Sequence, residues 1–250
     1  MPLTTVELSE LTVHLHGPLS IGTGFARGLV NRTVVRGRDG LVFVPGSVLK
    51  GKVRSACEAL ARSRGIAECR APHPQRMLGD RKTCLICQIF GAPGQGSDIH
   101  WQSARLTEEW VEALKPRLSG HATLGQTGTR TQVQLSRKRG LAAEAHLFTS
   151  EFAAEGLTFE ARPGFNGRLR LTRMSLAEAS PVYYELVLLL AGVKMVETLG
   201  GSASRGAGAC RLDLPKTVIV NRQPLEVAQQ LEYVEFLDPD LYREDQEAQT

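Results

Sequence analysis

A chain of 250 residues, 42% of them hydrophobic, can bury a sizeable core as one elaborated domain or two small ones, which excludes a disordered or fibrous class. The best apolar run, Val187 to Val193, is too short to span a bilayer, and the N-terminus lacks the basic and apolar regions of a secretory leader, so a cytoplasmic protein without a membrane partner is expected. Residues 1 to 91 hold 13 basic against 6 acidic residues, residues 117 to 139 hold five basic and no acidic ones, and residues 223 to 250 hold eight acidic and one basic, an asymmetry that suggests a nucleic-acid surface plus an acidic tail.

Taken in chain order, Glu10 to Leu19 alternates as a strand with Val13 and Leu15 on one face. Gly22 to Gly28 is a glycine-rich loop, and Thr33 to Val35 and Leu41 to Val44 read as short strands around an Arg38-Asp39-Gly40 turn. Ser47 to Arg64 reads as a helix with Leu49, Val53, Ala56 and Leu60 on its apolar face. Residues 65 to 98 are irregular and rich in Cys, Gly and Pro; Ile99 to Leu106 reads as a strand and Glu108 to Leu114 as a short helix. Gly120 to Gly140, polar and basic without a core pattern, reads as a protruding hairpin or a mobile loop. Strands follow at Ala145 to Phe152, Leu157 to Phe165 and Arg168 to Thr172. Pro181 to Leu199 is apolar nearly all round, as a buried helix is. Ala209 to Leu214 and Thr217 to Val220 close the strands, and residues 238 to 250 read as an acidic tail, either solvated or docked. The order strand, helix, strand, strand, helix, strand is that of an α+β, ferredoxin-like (RRM-like) core. The expected layout is one domain over 1 to 250, with insertions at about 65 to 98 and 118 to 142.

Three segments carry chemistry. At the start of the first helix, a capping Ser47 with Lys50, Lys52 and Arg54 behind it makes either an anion site, for which a phosphate backbone is the obvious ligand, or a solvated basic face. Cys69, His73, Cys84 and Cys87 follow the pattern Cys-x3-His-x10-Cys-x2-Cys, enough donors for a closed tetrahedral structural zinc site. A redox pair or a disulfide is the rival reading, disfavoured by the lack of a thioredoxin-like unit and by a reducing cytosol. Cys57 and Cys210 read as core residues. The loop containing Gly200, Gly201, Ser202, Arg205 and Gly206 lets backbone amides approach a phosphate or base, with Arg205 adding charge, or is a flexible connector.

The string Pro45-Gly46-Ser47-x-Leu49-Lys50-Gly51-Lys52-x-Arg54 resembles the signature of the RAMP superfamily, the repeat-associated proteins of CRISPR systems, and is most similar to the repeating backbone subunit of type III effector complexes. Leu19 to Gly24, Cys87 to Gly91 and Leu199 to Gly208 agree with that family in the same order. The resemblance implies a cytoplasmic guide-RNA-binding subunit that holds crRNA and its paired target RNA beside other effector subunits, including copies or paralogues of itself. It implies that a zinc-binding insertion lies near residues 65 to 98. It further implies an RNA groove formed by Gly22, Gly24, Arg27 and Asn31, by Ser47, Lys50, Lys52 and Arg54, and by the glycine loop, which lies against guide RNA in the family. A thumb-like hairpin that displaces a nucleotide from the guide–target duplex corresponds to Gly120 to Gly140, where Arg130, Arg137, Lys138 and Arg139 could hold phosphates. That stretch has no aromatic residue, so Leu124, Val133 or Leu135 are the candidate wedges. The family's target cutter uses an Asp in the loop after the first strand, with Mg²⁺ as its metal. Here residues 22 to 35 contain no Asp or Glu, Asn31 stands at the expected position, and Asp39 is the fallback in a turn-like setting. The expectation is therefore a binding subunit without slicing activity, with a metal-dependent target-RNA endoribonuclease or a crRNA-processing endoribonuclease as alternatives. For the last, His14 and His16 alternate with apolar strand residues, and His100, His121 and His146 have no clear partner in sequence.

Overall fold

Four long ribbons, each broken in its middle, form the centre of the protein. The computed structural model describes residues 2–26, 28–66, 73, 77, 84–94, 96–118, 125–136, 138 and 140–249. The first ribbon is β1 (Thr4–Leu8) and β2 (Leu11–Leu15), whose buried residues alternate at Val6, Leu8, Leu11, Val13 and Leu15. β3 (Phe43–Val44) leads into α1 (Gly46–Ser63), and α2 (Leu85–Phe90) follows later in the cysteine-rich segment. The second ribbon is β4 (Ile99–Trp101) and β5 (Ala104–Leu106), followed by α3 (Glu108–Leu118). A separate hairpin, β6 (Thr127–Ser136) and β7 (Leu141–Ala153), precedes the third ribbon, β8 (Thr158–Ala161) and β9 (Phe165–Leu169). α4 (Tyr184–Lys194) leads through the glycine loop to the fourth ribbon, β10 (Cys210–Asp213) and β11 (Thr217–Val220). β12 (Gln223–Glu226), α5 (Val227–Glu232) and α6 (Pro239–Ala248) complete the chain.

Both five-stranded sheets repeat one order, β12-β11-β1-β9-β4 and β10-β2-β8-β5-β3, with the fourth ribbon beside the first, then the third, then the second. The named pairs are antiparallel, for instance Val13 opposite Leu212 and Phe159. This is the ferredoxin-like arrangement expected from element order. α1 and α4 pack together over the buried side, where an atom added at Gly192 would strike Cys57 Sγ and where that thiol donates to the Leu188 carbonyl at 3.3 Å. Tyr184 through Val193 are all buried, so the all-round apolar pattern of α4 is realised as a core helix. It is shorter than the stretch 181 to 199, because Thr198 leaves it to bridge Ala209.

Two expectations are corrected by the packing. Thr4–Leu8 is a strand in register with β9 and β11, although only its continuation from residue 10 was expected. The segment expected as a tail is the helix α6. Asp238 caps it by accepting from the amides of Asp240 and Leu241 at 2.9 and 3.1 Å, Pro239 takes its first turn, and Tyr242 and Asp245 are buried. Tyr184 Oη donates to Asp245 at 2.9 Å, and Gln88 Nε2 donates to Tyr242 Oη at 3.0 Å, so α6 clamps α4 and α2 together. Its acids sit mainly on the outward side of a docked amphipathic helix.

Candidate nucleic-acid interface

The basic helix start comes first in the chain. Val44 pairs with Ala104, and Pro45 occupies the cap position of α1 without a side-chain cap bond. The amides of Val48 and Leu49 both reach the Pro45 carbonyl, at 2.9 and 3.2 Å. Ser47 is exposed and caps nothing, which corrects its expected capping role. Gly46 is obligatory there, since any Cβ would collide with the Trp101 carbonyl. Lys50 and Lys52 are half-buried on the same helix. Burial, then repulsion from Arg54, holds the Lys50 ammonium below its usual range. Lys52 lies at the foot of the glycine loop: burial pushes the Cys210 thiol up to about 11, and the Lys52 charge opposes that rise. Arg54 points inward, with Nε on Glu58 at 2.9 Å and Nη1 on the Gly91 carbonyl at 3.0 Å, so it anchors α2 to α1.

A short seam, residues 18 to 20, ties the other pieces together. Leu19 exchanges backbone bonds with Ala153 of β7 at 3.0 and 2.8 Å. On the other side the Pro18 and Ser20 carbonyls accept from the amides of Gly208 and Gly201, each at 2.8 Å. Gly200 has φ +71° and packs directly on the Ser20 carbonyl, so no side chain fits there. The loop then turns through Ala203–Arg205, flanked by Ser202 and Gly206 in left-handed conformation, and leaves Arg205 exposed. Residues 21 to 35 cross back over themselves, with Thr23 and Thr33 hydroxyls 2.8 Å apart, and Gly24 lies at the turn toward an exposed Phe25. Gly22 bridges Val34.

The hairpin β6–β7 stands where a protruding hairpin was expected, and its return strand extends it well past residue 142. Its root is a buried junction. Gln126 accepts from the Val42 amide and donates to the Gly40 carbonyl, both at 2.9 Å. Glu151 accepts from the Val34 amide at 2.9 Å, from Thr127 Oγ1 at 2.9 Å and from both terminal nitrogens of Arg36. Burial raises the Glu151 pKa, but the Arg36 guanidinium and these donors outweigh it and hold the carboxyl below the usual range. Above the root, the Asn31 side-chain oxygen accepts from the Thr149 amide at 2.8 Å, and the Asn31 amide donates to the Thr149 carbonyl at 2.9 Å. Arg32 then lies over the Phe148 ring, 5.7 Å from its centroid, and Arg130 over Phe152 at 5.4 Å.

Between hairpin and glycine loop these elements enclose an open cleft of about 570 Å³ lined by Arg32, Gln132, Val133, Gln134, Phe148 and Arg205. It carries two guanidinium groups and no carboxylate, a surface that attracts polyanions. The sequence pointed to Arg205, Val133 and Asn31 but missed Arg32, Phe148 and the two glutamines. Arg32 and Phe148 are 116 positions apart and meet only because Asn31 is pinned to β7. The model of the RAMP superfamily matches residues 12–211. The chain belongs to that superfamily. Among curated proteins, none matches the chain. RAMP proteins are associated with CRISPR complexes and RNA binding, which agrees with a cationic cleft lined by the glycine loop.

In this RAMP protein the remaining expected site residues are dispersed. Lys138 is exposed near the hairpin turn, while Arg27, Arg137, Arg139 and Leu124 lie outside the described residues. Asp39 is a turn residue: it accepts from the Leu41 amide at 3.1 Å and faces Arg105 at 3.7 Å. His14 Nε2 lies 3.2 Å from Asp213 on the far side of the sheet, away from the hairpin cleft. Cys84 and Cys87 are both buried, one turn apart at the start of α2, and Cys87 Sγ donates to the Met77 carbonyl at 3.8 Å. Two thiols so placed fit half of a tetrahedral zinc site. His73 is exposed, and Cys69 lies outside the described residues, as does most of the intervening segment. Among the described residues no helix is long and apolar enough to cross a membrane.

Proposed function

We propose that this RAMP protein is a guide-RNA-binding backbone subunit of a type III CRISPR effector complex, holding crRNA and its paired target RNA beside other subunits, including copies or paralogues of itself, in the cytoplasm. The single observation that carries the reading is the cleft between β6–β7 and the glycine loop, where Arg32 and Arg205 face open space with no acidic residue in the lining. Guanidinium groups and loop amides there contact phosphate without reading sequence, and guide pairing supplies specificity. Lys50 and Lys52 extend the cationic surface at the foot of the same loop.

The subunit does not slice its target. Asn31 spends its side-chain oxygen on the Thr149 amide, and residues 22 to 35 contain no carboxylate. Glu151, whose amide donates to the Arg32 carbonyl at 2.8 Å, has its carboxylate engaged by Arg36, Thr127 and the Val34 amide and not turned to a metal. Cys69, His73, Cys84 and Cys87 would hold a structural zinc ion, which supplies folding energy to a segment without its own core. Metal analysis of the purified protein checks this part. About one zinc per chain is expected, and loss of zinc in Cys84→Ser with RNA binding retained marks the ion as structural.

The test of the main reading is expression beside a CRISPR array with its neighbouring genes, followed by sequencing of the copurifying RNA. Mature guides with a repeat-derived end are expected. Random RNA, or none, contradicts the backbone role, and Mg²⁺-dependent cutting of complementary RNA contradicts the lack of slicing.

A further inference from the structure

The C-terminal helix is held more by polar bonds than by apolar packing. Of the ten residues of α6, Tyr242 and Asp245 are the buried ones, and Asp240, Glu244 and Glu247 point outward. No basic residue closes its last turn, and at this length it does not persist as a helix by itself. Tyr184 Oη and the Ser175 amide donate to Asp245 at 2.9 and 3.0 Å. Tyr242 Oη donates to Glu185 of α4 at 3.4 Å and accepts from Gln88 of α2 at 3.0 Å. At the end of the helix Gln249 exchanges bonds with the Arg173 amide and carbonyl at 2.9 and 2.7 Å. α6 therefore straps α2 and the 172 to 175 segment onto α4.

The strap closes over acids without a cation. Among the described residues neither Glu185 nor Asp245 has an ion-pair partner. Gln88 from α2 and Thr172 from the segment before α4 are neutral, and Asp238 at the helix cap adds a third carboxylate beside Tyr184. The Tyr184 and Tyr242 rings meet edge to face, 5.0 Å between centroids, at the junction of α4 and α6. We propose that α6 is a latch released by proton loss: with Glu185 protonated the helix stays docked, and with Glu185 ionised it undocks, melts and uncovers α2. Undocking removes the Tyr242 ring and admits water to the carboxylate, so the open form tolerates a charge that the docked form does not. Burial holds the docked Glu185 carboxyl up at about 7, against 4.5 when solvated. Support for docking is thus complete below about 4.5 and lost as pH rises through about 7. Release also breaks the Tyr242–Gln88 bond and frees the helix that bears Cys87.

The test is native-state hydrogen exchange of the full-length chain, read by peptide and corrected for the intrinsic pH dependence of exchange. Between about pH 5.5 and pH 8, protection of α6 falls about 30-fold in wild type and lies below that of α1 throughout. In Glu185→Gln, α6 protection stays flat over the same range. Tyr242→Phe, which keeps the ring and removes the bonds to Glu185 and Gln88, lowers protection in α6 and leaves α1 as it was. Equal protection of α6 and α1 at each pH means that α6 opens only with the whole molecule, and it overturns the latch. A wild-type α6 protection independent of pH overturns it too, as does an undiminished fall in Glu185→Gln. The comparison of α6 with α1 in wild type decides the matter even where a variant does not fold.

Discussion

Two of the clefts formed by the described residues differ in volume and in charge, and the larger of the two is the less suited to RNA. On the outer side of the β2–β8–β5 sheet a cleft of about 750 Å³ is lined by outward residues such as Thr12, His14, Arg105, Glu160 and Arg162. Each arginine there has an acid: Arg162 holds Glu10 and Glu160 at 2.9 and 3.0 Å, and Arg105 faces Asp39 at 3.7 Å, while the His14 imidazole lies 3.2 Å from Asp213. The cleft under the hairpin has about 570 Å³, two arginines and no acid. Charge that is already paired at the surface contributes little to binding a polyanion, whereas unpaired guanidinium groups release counterions when phosphate arrives. Volume does not decide which cleft is the site; unspent charge does.

The comparison breaks most severely at the junction that shapes the smaller cleft. Glu151→Ala leaves Arg36 buried without its partner, and a stability loss of about 3 kcal/mol is expected in urea unfolding. Because the folded Glu151 pKa is depressed, its contribution is present above the ordinary carboxyl range near 4.5 and fades as pH falls through the lower folded value. Glu151→Gln therefore loses most relative to wild type at neutral pH and least in acid.

Arg32→Ala/Arg205→Ala comes next, lowering RNA affinity roughly 30-fold, or about 2 kcal/mol, and reducing the slope of log affinity against log salt by about 2. Arg105→Ala/Arg162→Ala in the larger cleft leaves affinity within about twofold, because those charges were neutralised in place. Equal losses in the two double variants would erase the distinction between the clefts. A smaller effect sharpens it: Glu10→Gln/Glu160→Gln frees Arg162 and gains about twofold in RNA affinity at low salt, a gain that disappears at high salt.

The same contrast recurs in the core. Glu151 is buried with a guanidinium, whereas the partners of the buried Glu185 include the Thr172 amide and hydroxyl at 2.8 and 3.1 Å and the Tyr242 hydroxyl at 3.4 Å, all neutral. Burial pushes the Glu185 carboxyl up to about 7. A raised folded pKa means that the favourable contribution is complete below about 4.5 and is lost as pH rises through about 7. Glu185→Gln, which has no proton to surrender, should gain stability relative to wild type between pH 5 and pH 8. A difference that stays constant over that window would show that the carboxyl titrates normally.

Much of the fold was legible because its signals are local. Alternation at Leu11, Val13 and Leu15, the apolar spacing of Leu49 and Val53, and the uniformly apolar α4 each match what is buried. The helix α6 was legible too, in the Asp238-Pro239 start and the spacing of Tyr242 and Asp245, but the density of acids obscured it. The site was legible only where glycines and charges announce it, at Gly200 and Arg205. Nothing local marks Arg54 as an anchor, because its partner is the backbone carbonyl of Gly91. Nothing local joins Arg32 to Phe148, because that contact exists only after the residue 31 to 36 segment docks on β7.

The most direct test is ultraviolet crosslinking of the protein to bound guide RNA, with the crosslinked peptides mapped by mass spectrometry. Crosslinks should fall in residues 31 to 36, 127 to 153 and 200 to 208, which surround the smaller cleft. Crosslinks concentrated in residues 102 to 109 and 158 to 162 would place RNA in the larger cleft and contradict the account.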